Sequence, residues 1–415
     1  MRIALYNPPV FHYTGIHYAI NPPLGLPILG SVLRNAGHEV EIVDLEALMI
    51  SPQRLSMQYA KQKERWPDVV GFTCLSQNVR GVADAITALR YAGFDRPIIV
   101  GGPHATLFPK EILDIGADIA VRGECEGNIV SIIENLEGPI IQGQRMPIED
   151  IPVPLWGRHM PKPNQYSGNL PRIDFPEAIT MWSRGCPHRC IFCANPVFRR
   201  QKIRRRPPEN ILEELQGLRR YNIRSLFVYD DELVGGGGVS WLSQVCYTIA
   251  PLGYTWKCQG RCSKRFVTKD LLQQMYDAGC RAIMWGIESF HEDILHNIRK
   301  GTTEEDIWHT LRAAHEVGIG NWAFLMVGNY GETEKHLAYT ERQLTKAVRE
   351  GLIQWRQVTV CTPTPGSDLY TIAQQEGWYT KPPETGPQMA QVYSSTPWLT
   401  AKQIKKWKMR LEAAR

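Results

Sequence analysis

The chain has 415 residues, 43% of them hydrophobic, and 47 basic against 42 acidic side chains give a formal net charge of +5. That length exceeds one ordinary domain, and the hydrophobic share supports packed cores and excludes a disordered chain. The small charge speaks against nucleic acid as a partner, and no apolar run approaches the ~20 residues that span a bilayer. The ten cysteines lack scaffold-like spacing and read as thiols of a cytoplasmic protein.

Residues 1–145 alternate short β-branched runs with helical patterns, which predicts a doubly wound, Rossmann-like α/β domain. Strands are expected at Ile3–Tyr6, Val40–Asp44, Val69–Thr73, Ile98–Gly101 and Ile119–Arg122. The first is too short and too interrupted to be a signal peptide. Helices fall at Leu24–Asn35, Val79–Tyr91 and Asn128–Leu136, with Gly37 and Gly93 as C-caps of the first two. Ligands of such sheets lie off the carboxyl ends of the strands. The candidates there are Asn7; Thr73, Ser76, Gln77 and Asn78; Gly101, Gly102 and His104; and Gly123, Glu124 and Glu126. Glycine lets backbone approach a ligand, and the polar side chains offer hydrogen bonds. Turn residues gather at any strand end, so the weight lies in four such loops on one edge.

Residues 146–175 are Pro-rich and aperiodic, as in Ile151-Pro152-Val153-Pro154, and read as a linker. Strand–helix units resume over residues 176–365. Strands are expected at Ala178–Trp182, Ser225–Tyr229, Thr255–Cys258, Ala282–Gly286, Trp322–Val327 and Gln357–Cys361. Six βα units suit a partial (β/α)6 barrel better than an eight-fold one, which typically needs ~250 residues. Residues 366–415 form a short helical tail, amphipathic around Ile404, Trp407 and Leu411.

Directly after the first barrel strand comes Ser183-Arg184-Gly185-Cys186-Pro187-His188-Arg189-Cys190-Ile191-Phe192-Cys193. Three thiolates on one Gly/Pro-containing loop can hold three corners of an iron–sulfur cube and leave the fourth iron open. The alternative is zinc, with His188 or a distant cysteine as fourth ligand; Cys258 and Cys262 are the nearest pair, but at an atypical spacing. A C-x3-C-x-aromatic-C run after a strand resembles closely the signature of the radical S-adenosylmethionine (SAM) superfamily. The later motifs are similar to that family's in order: Asp230-Asp231-Glu232, Gly260-Arg261, Gly286-Ile287-Glu288-Ser289, Gly328-Asn329-Tyr330-Gly331-Glu332-Thr333 and Thr362-Pro363-Thr364-Pro365-Gly366-Ser367. In the fourth of these, Asn329-Tyr330 departs from the usual apolar-Pro pair.

A doubly wound domain ahead of such a barrel resembles the cobalamin-binding radical SAM class over residues 1 to about 375, with methyltransferases as the nearest members. The resemblance implies a [4Fe–4S] cluster on Cys186, Cys190 and Cys193. It implies SAM near Phe192, Asp230, Asp231, Arg261 and Glu288, and cobalamin at the strand-end loops named above. His12 lacks the acidic partner of a cobalt-ligating histidine, since Val10 stands at that place, so no protein histidine on cobalt is expected. The implied activity is methylation of an unactivated carbon through a radical generated from SAM, with a flavodoxin- or ferredoxin-type electron donor. The alternative within the class is cyclisation, rearrangement or oxidation of a small molecule without methyl transfer. A metal-stabilised nucleic-acid-binding module is the rival of another class. The short tail, the run Arg199–Arg206 and Lys402, Lys405, Lys406 and Lys408 suggest an acidic polypeptide substrate. A Gln or Arg residue would be modified, as in the enzymes acting on methyl-coenzyme M reductase.

Overall fold

The computed structural model describes residues 1–9, 22–155, 166, 176–199, 202–378 and 395–415. Its first sheet has six parallel strands: β1 (Arg2–Asn7), β2 (Glu39–Asp44), β3 (Val69–Thr73), β4 (Ile98–Gly101), β5 (Ile119–Arg122) and β6 (Ile140–Gln142). They lie in the order β2-β1-β3-β4-β5-β6, so the direction of winding reverses between β1 and β3. Doubly wound sheets open a crevice at that point. The sequence anticipates five of the strands and misses β6. That edge strand is only three residues long, and its Ile140 is exposed, so it has no buried pattern to read. Gly37 and Gly93 take φ of 88° and 89°, and their N–H groups donate to the Arg34 and Arg90 carbonyls, closing the helices Gly25–Asn35 and Val79–Tyr91 as expected.

The described part of the Pro-rich stretch is no loose linker. Ile148 and Ile151 are buried, Ser31 Oγ donates to the Val153 carbonyl and Leu155 N–H to Pro27, strapping residues 148–155 across the first helix.

The second sheet contains β7 (Glu177–Thr180), β10 (Ser225–Val228), β11 (Thr255–Gly260), β12 (Cys280–Glu288), β13 (Gly320–Val327) and β14 (Trp355–Val360), all parallel and in chain order. This is the expected partial (β/α)6 barrel. Trp182, Trp256 and Trp285 are fully buried within it, the first two with ring centroids 5.1 Å apart. Between β7 and β10 the sequence reading missed an antiparallel hairpin, β8 (Ser183–Arg184) with β9 (Arg204–Arg205), which pairs Arg184 with Arg204. Two-residue strands carry no periodicity. The cysteine loop hangs from this hairpin. The helix Ala401–Ala413 packs on β13 and β14 through Ile404, Trp407 and Leu411, as its pattern predicts, and Trp407 Nε1 donates to Glu334. No helix of the described residues is long and apolar enough to cross a membrane.

Candidate active site: a cysteine loop beside a glycine-lined cavity

The cysteine loop is fastened to the barrel at several points. Gly185 takes φ of 104°, and a Cβ there would sit 2.5 Å from the Lys202 carbonyl oxygen, so only glycine allows the loop to leave the hairpin. Its N–H donates to Asp231 Oδ2 at 3.0 Å. Further on, Ile191 N–H donates to the Ile298 carbonyl and accepts from Leu369 N–H at its own. Cys186, Cys190 and Cys193 are half-buried free thiols. Burial pushes the Cys186 thiol up to about 12 and raises Cys193, and in each case neighbouring thiols of the loop add to the rise. Three thiols this close are costly to ionise together unless a cation is present. Arg261 Nη1 lies 3.9 Å from Cys190 Sγ, and the buried Lys300 also faces Cys190. This donor set fits an iron–sulfur cluster whose negative charge two cations offset. Cys258 and Cys262 are buried in the barrel wall, Cys258 against Cys280, and neither joins the loop.

His188 does approach Cys186, together with Glu232 of the acidic motif after β10. One ligand atom from each lies within 4.8 Å of the others, but Cys190 and Cys193 stand outside that group, so it is not the three-cysteine set with His188 that the zinc alternative requires. His188 Nε2 and Glu232 Oε1 are buried without a hydrogen-bond partner. Burial, then Arg261 and Lys300, lower His188 to about 4, while burial raises Glu232 to about 8 against the pull of the same cations. Both are therefore uncharged near neutral pH.

The residues expected at SAM divide in two. Arg261 stands beside Cys190, and Phe192 packs with Ile191, Ile298, Met326 and Leu369 into an apolar wall beside the loop. Glu288 is buried, holds φ of +64° and accepts from Lys300 Nζ at 2.9 Å. A non-glycine residue in that region costs about 1–3 kcal/mol, and the buried ion pair keeps it there. Lys300 belongs to no motif quoted from the sequence, and nothing in the local pattern marks it. Asp230 corrects the expectation. Its carboxylate accepts from Trp182 N–H at 2.8 Å and Ser183 Oγ at 2.6 Å, bracing β8, and only 1% of the residue is exposed. Asp231 caps Gly185, so it touches the cysteine loop directly. The departure at Asn329-Tyr330 leaves the loop closed: Asn329 Nδ2 donates to the Met326 carbonyl and to Glu332, which also accepts from the Gly328 and Asn329 N–H groups.

Beyond the carboxyl ends of the first sheet lies a cavity of about 310 Å³. Six of the expected ligand residues line it: Thr73, Gly101, Gly102, Gly123, Glu124 and Glu126; its far wall is Met181, Arg184 and Phe198 of the second half. A Cβ on Gly101 would meet only Val121, at 3.9 Å, and so would project into open space. Glycines and aliphatic side chains thus form a cradle that lets the flat face of a large cofactor such as cobalamin approach the backbone closely. Asn7, Ser76, Gln77, Asn78 and His104 do not line it. Asn7 Nδ2 donates to Asp44, Asn78 Oδ1 accepts from Leu75 N–H, Gln77 is exposed, and Ser76 Oγ bonds the buried His104, whose other ring nitrogen lies 3.3 Å from Glu111. These side chains build the strand-end turns. His12 lies outside the described residues.

Glu124 and Glu126 line the cavity, but their carboxylates are held by arginines. Arg184 Nη1 donates to Glu124 at 2.9 Å and Glu126 at 2.6 Å, and Arg204 Nη2 donates to both Glu124 oxygens at 2.6 and 2.7 Å. Burial pushes the Glu124 carboxyl up, but Arg204 and Arg184 outweigh it and hold the carboxyl below its ordinary value. The described end of the basic run, Arg204–Arg206, is correspondingly held by the protein: Arg205 stacks over Trp241 and donates to the Gly237 carbonyl, and Arg206 pairs with buried Glu214.

A model of the radical SAM superfamily matches residues 180–344, and a model of the B12 binding domain matches residues 18–133. The chain is a cobalamin-binding radical SAM protein. Its cofactors are a [4Fe–4S] cluster, SAM and cobalamin. The cobalamin-binding radical SAM chain is 26% identical over 385 residues to an uncharacterised methyltransferase of Pyrococcus horikoshii, covering 85% of this chain and 78% of that one. It is 25% identical over 403 residues to an anaerobic magnesium-protoporphyrin IX monomethyl ester cyclase of Rubrivivax gelatinosus, covering 89% and 69%. In fold it resembles the radical SAM methyltransferase TsrM of Kitasatospora setae, solved with cobalamin and a [4Fe–4S] cluster, with a TM-score of 0.71 at 18% identity over 93% of this chain and 82% of that one.

Proposed function

We propose that this cobalamin-binding radical SAM enzyme methylates an unactivated carbon of its substrate, with Cys186, Cys190 and Cys193 as the cluster ligands. The observation that carries the reading is the shared wall: Arg184, two residues from Cys186, lines the glycine cavity, so the sites for the two cofactors adjoin. When bound, the reduced cluster supplies the electron for cleavage of SAM, and cobalamin supplies a methyl group. The chain's own groups bind and orient. Arg261 and Lys300 offset the charge at the cysteines, Glu288 and Asp231 fix Lys300 and the loop's start, and Phe192 with Met326 excludes water beside the loop. Electrons come from a small flavodoxin- or ferredoxin-type donor.

Of the two basic features behind the reading of an acidic polypeptide substrate, the run has its Arg204, Arg205 and Arg206 bound internally. Lys402, Lys405 and Lys406 on the last helix remain exposed, and the polypeptide reading, with Gln or Arg as the modified residue, rests on that face. A second reading, ring closure or oxidation without methyl transfer, is supported by the likeness to the magnesium-protoporphyrin cyclase. Anaerobic turnover with methyl-deuterated SAM separates them by product mass: a gained labelled methyl group supports methylation, and SAM cleavage with no label in the product supports the second reading. Comparing a peptide of ten or more residues with its central amino acid alone tests the substrate class.

A further inference from the structure

The cysteine loop, residues 185–203, leaves the hairpin at Arg184 and returns to it at Arg204, and these two arginines face each other across the β8–β9 ladder. Both reach out of the barrel to one carboxylate, Glu124, in the loop that follows β5 of the first domain. Glu126 takes a second bond from Arg184, and Arg145 adds a third bridge, with its Nε 3.5 Å from Glu124 and its Nη2 donating to the Phe198 carbonyl of the cysteine loop itself. The other backbone anchors of the loop described above, on Asp231, Ile298 and Leu369, go to the barrel. The side chains of Arg184, Glu124 and Glu126 are 8%, 13% and 8% exposed, so these ion pairs work in a low-dielectric setting where a lost partner is costly. The same Gly123–Glu126 loop is part of the cavity lining, and Gly123 N–H is pinned by Thr106 Oγ1 at 2.9 Å.

We propose that Glu124, with Glu126, is a positioning residue that clamps both stems of the cysteine loop and makes cluster assembly and cobalamin binding mutually reinforcing. A cluster on the three cysteines fixes the loop from Gly185 to Cys193 and with it the placement of the Arg184 stem against Arg204. The arginine forks fix the Glu124 and Glu126 carboxylates, which orders one wall of the cavity. A ligand in the cavity excludes the open arrangements of that wall and so favours the closed stems. Linkage then requires each cofactor to raise the affinity for the other by the same factor. The inference rests on the assignment of the cluster to Cys186, Cys190 and Cys193.

The test is an anaerobic titration of hydroxocobalamin into the full-length protein with its cluster reconstituted and into the same protein without iron. The expected result for the natural sequence is roughly tenfold tighter binding with the cluster in place, within the usual range of site-to-site couplings. Hydroxocobalamin should also slow the loss of cluster iron to bathophenanthroline disulfonate. Glu124→Gln removes the charge shared by both arginines and leaves Arg184 its Glu126 partner, so it should bring the two affinities to equality. Arg204→Lys keeps the charge without the two-pronged contact and should retain part of the difference. A merely structural defect would weaken both forms alike, whereas the clamp acts on their ratio. Equal affinities in the natural protein, or a full tenfold ratio in Glu124→Gln, would overturn the proposal. Should Glu124→Gln not fold, an unchanged ratio in Arg204→Lys overturns it equally. A Cys190→Ala protein that keeps its full iron content would instead refute the cysteine assignment and leave the ion pairs' role to the titration.

Discussion

The cavity of the first domain and the surroundings of the cysteine loop meet at one short hairpin, yet they are built of different materials. The cavity is lined by glycines and aliphatic side chains, and the two carboxylates on its wall are neutralised by arginines. The surroundings of the loop concentrate buried ionisable groups: Glu232, Glu288, Arg261 and Lys300 near three thiols. The first offers a ligand mainly shape, and the second mainly charge. A wide cofactor that binds through much of its surface suits the former. A compact anionic cluster suits the latter, because charge is attracted most strongly where water is excluded.

The contrast can be broken most severely at the cysteine loop. Replacing Cys186, Cys190 or Cys193 by Ala should reduce cluster iron and SAM cleavage to background, measured by iron content and 5′-deoxyadenosine release, because no other thiol belongs to the loop, and Cys361, in the apolar wall beside Ile191 and Phe192, is buried and held protonated by that burial. Cys258→Ala and Cys262→Ala should keep their iron. In the cavity the decisive change is one of volume. Gly101→Leu has room for its Cβ, which meets only Val121 at 3.9 Å, but its side chain would occupy the space meant for the ligand. We expect hydroxocobalamin affinity to fall by about a hundredfold, about 2.7 kcal/mol, with cluster iron unchanged. Loss of iron as well would show that the two regions are not separable by shape and charge.

Smaller effects sharpen the comparison by showing which buried carboxyls belong to the scaffold. Burial raises Glu332 from 4.5 to about 7, against the bonds it accepts from Asn329 and Gly328. A carboxyl held above its unfolded value keeps in the folded state a proton that the unfolded chain has released. Its contribution to stability is therefore full below about 4.5 and is lost as pH rises through about 7, a total of about 3 kcal/mol. Denaturant midpoints measured from pH 5 to 8 should decline less in Glu332→Gln than in the natural protein; parallel curves would contradict this. Asp230→Asn weakens the bracing of Trp182 and Ser183 and should lower stability by about 2 kcal/mol. SAM affinity, read by equilibrium dialysis, should hardly change. A tenfold loss would return Asp230 to the SAM site.

Much of this protein was legible in its sequence. Val69–Thr73, Ile98–Gly101 and Ile119–Arg122 are strands to the residue, because strands buried on both faces are written as continuous β-branched runs. The cysteine motif follows its strand, and the order of the later motifs maps onto successive strands of the barrel. Local sequence carries these features because they depend on period, on turn chemistry or on a ligand spacing within a few residues. Only the tertiary structure decided which polar side chains face the site. Asp230 and Asp231 are neighbours, yet one braces β8 and the other caps Gly185, since adjacent residues leaving a strand point to opposite sides. Ser76, Asn78 and His104 serve their own turns rather than the cavity. Lys300 reaches Glu288 across twelve residues, and Glu124 meets Arg184 and Arg204 across sixty and eighty. Buried ion pairs form wherever folding brings opposite charges together away from water. Their partners are fixed by tertiary packing, within the barrel for Lys300 and between domains for Glu124, and no local pattern records that choice.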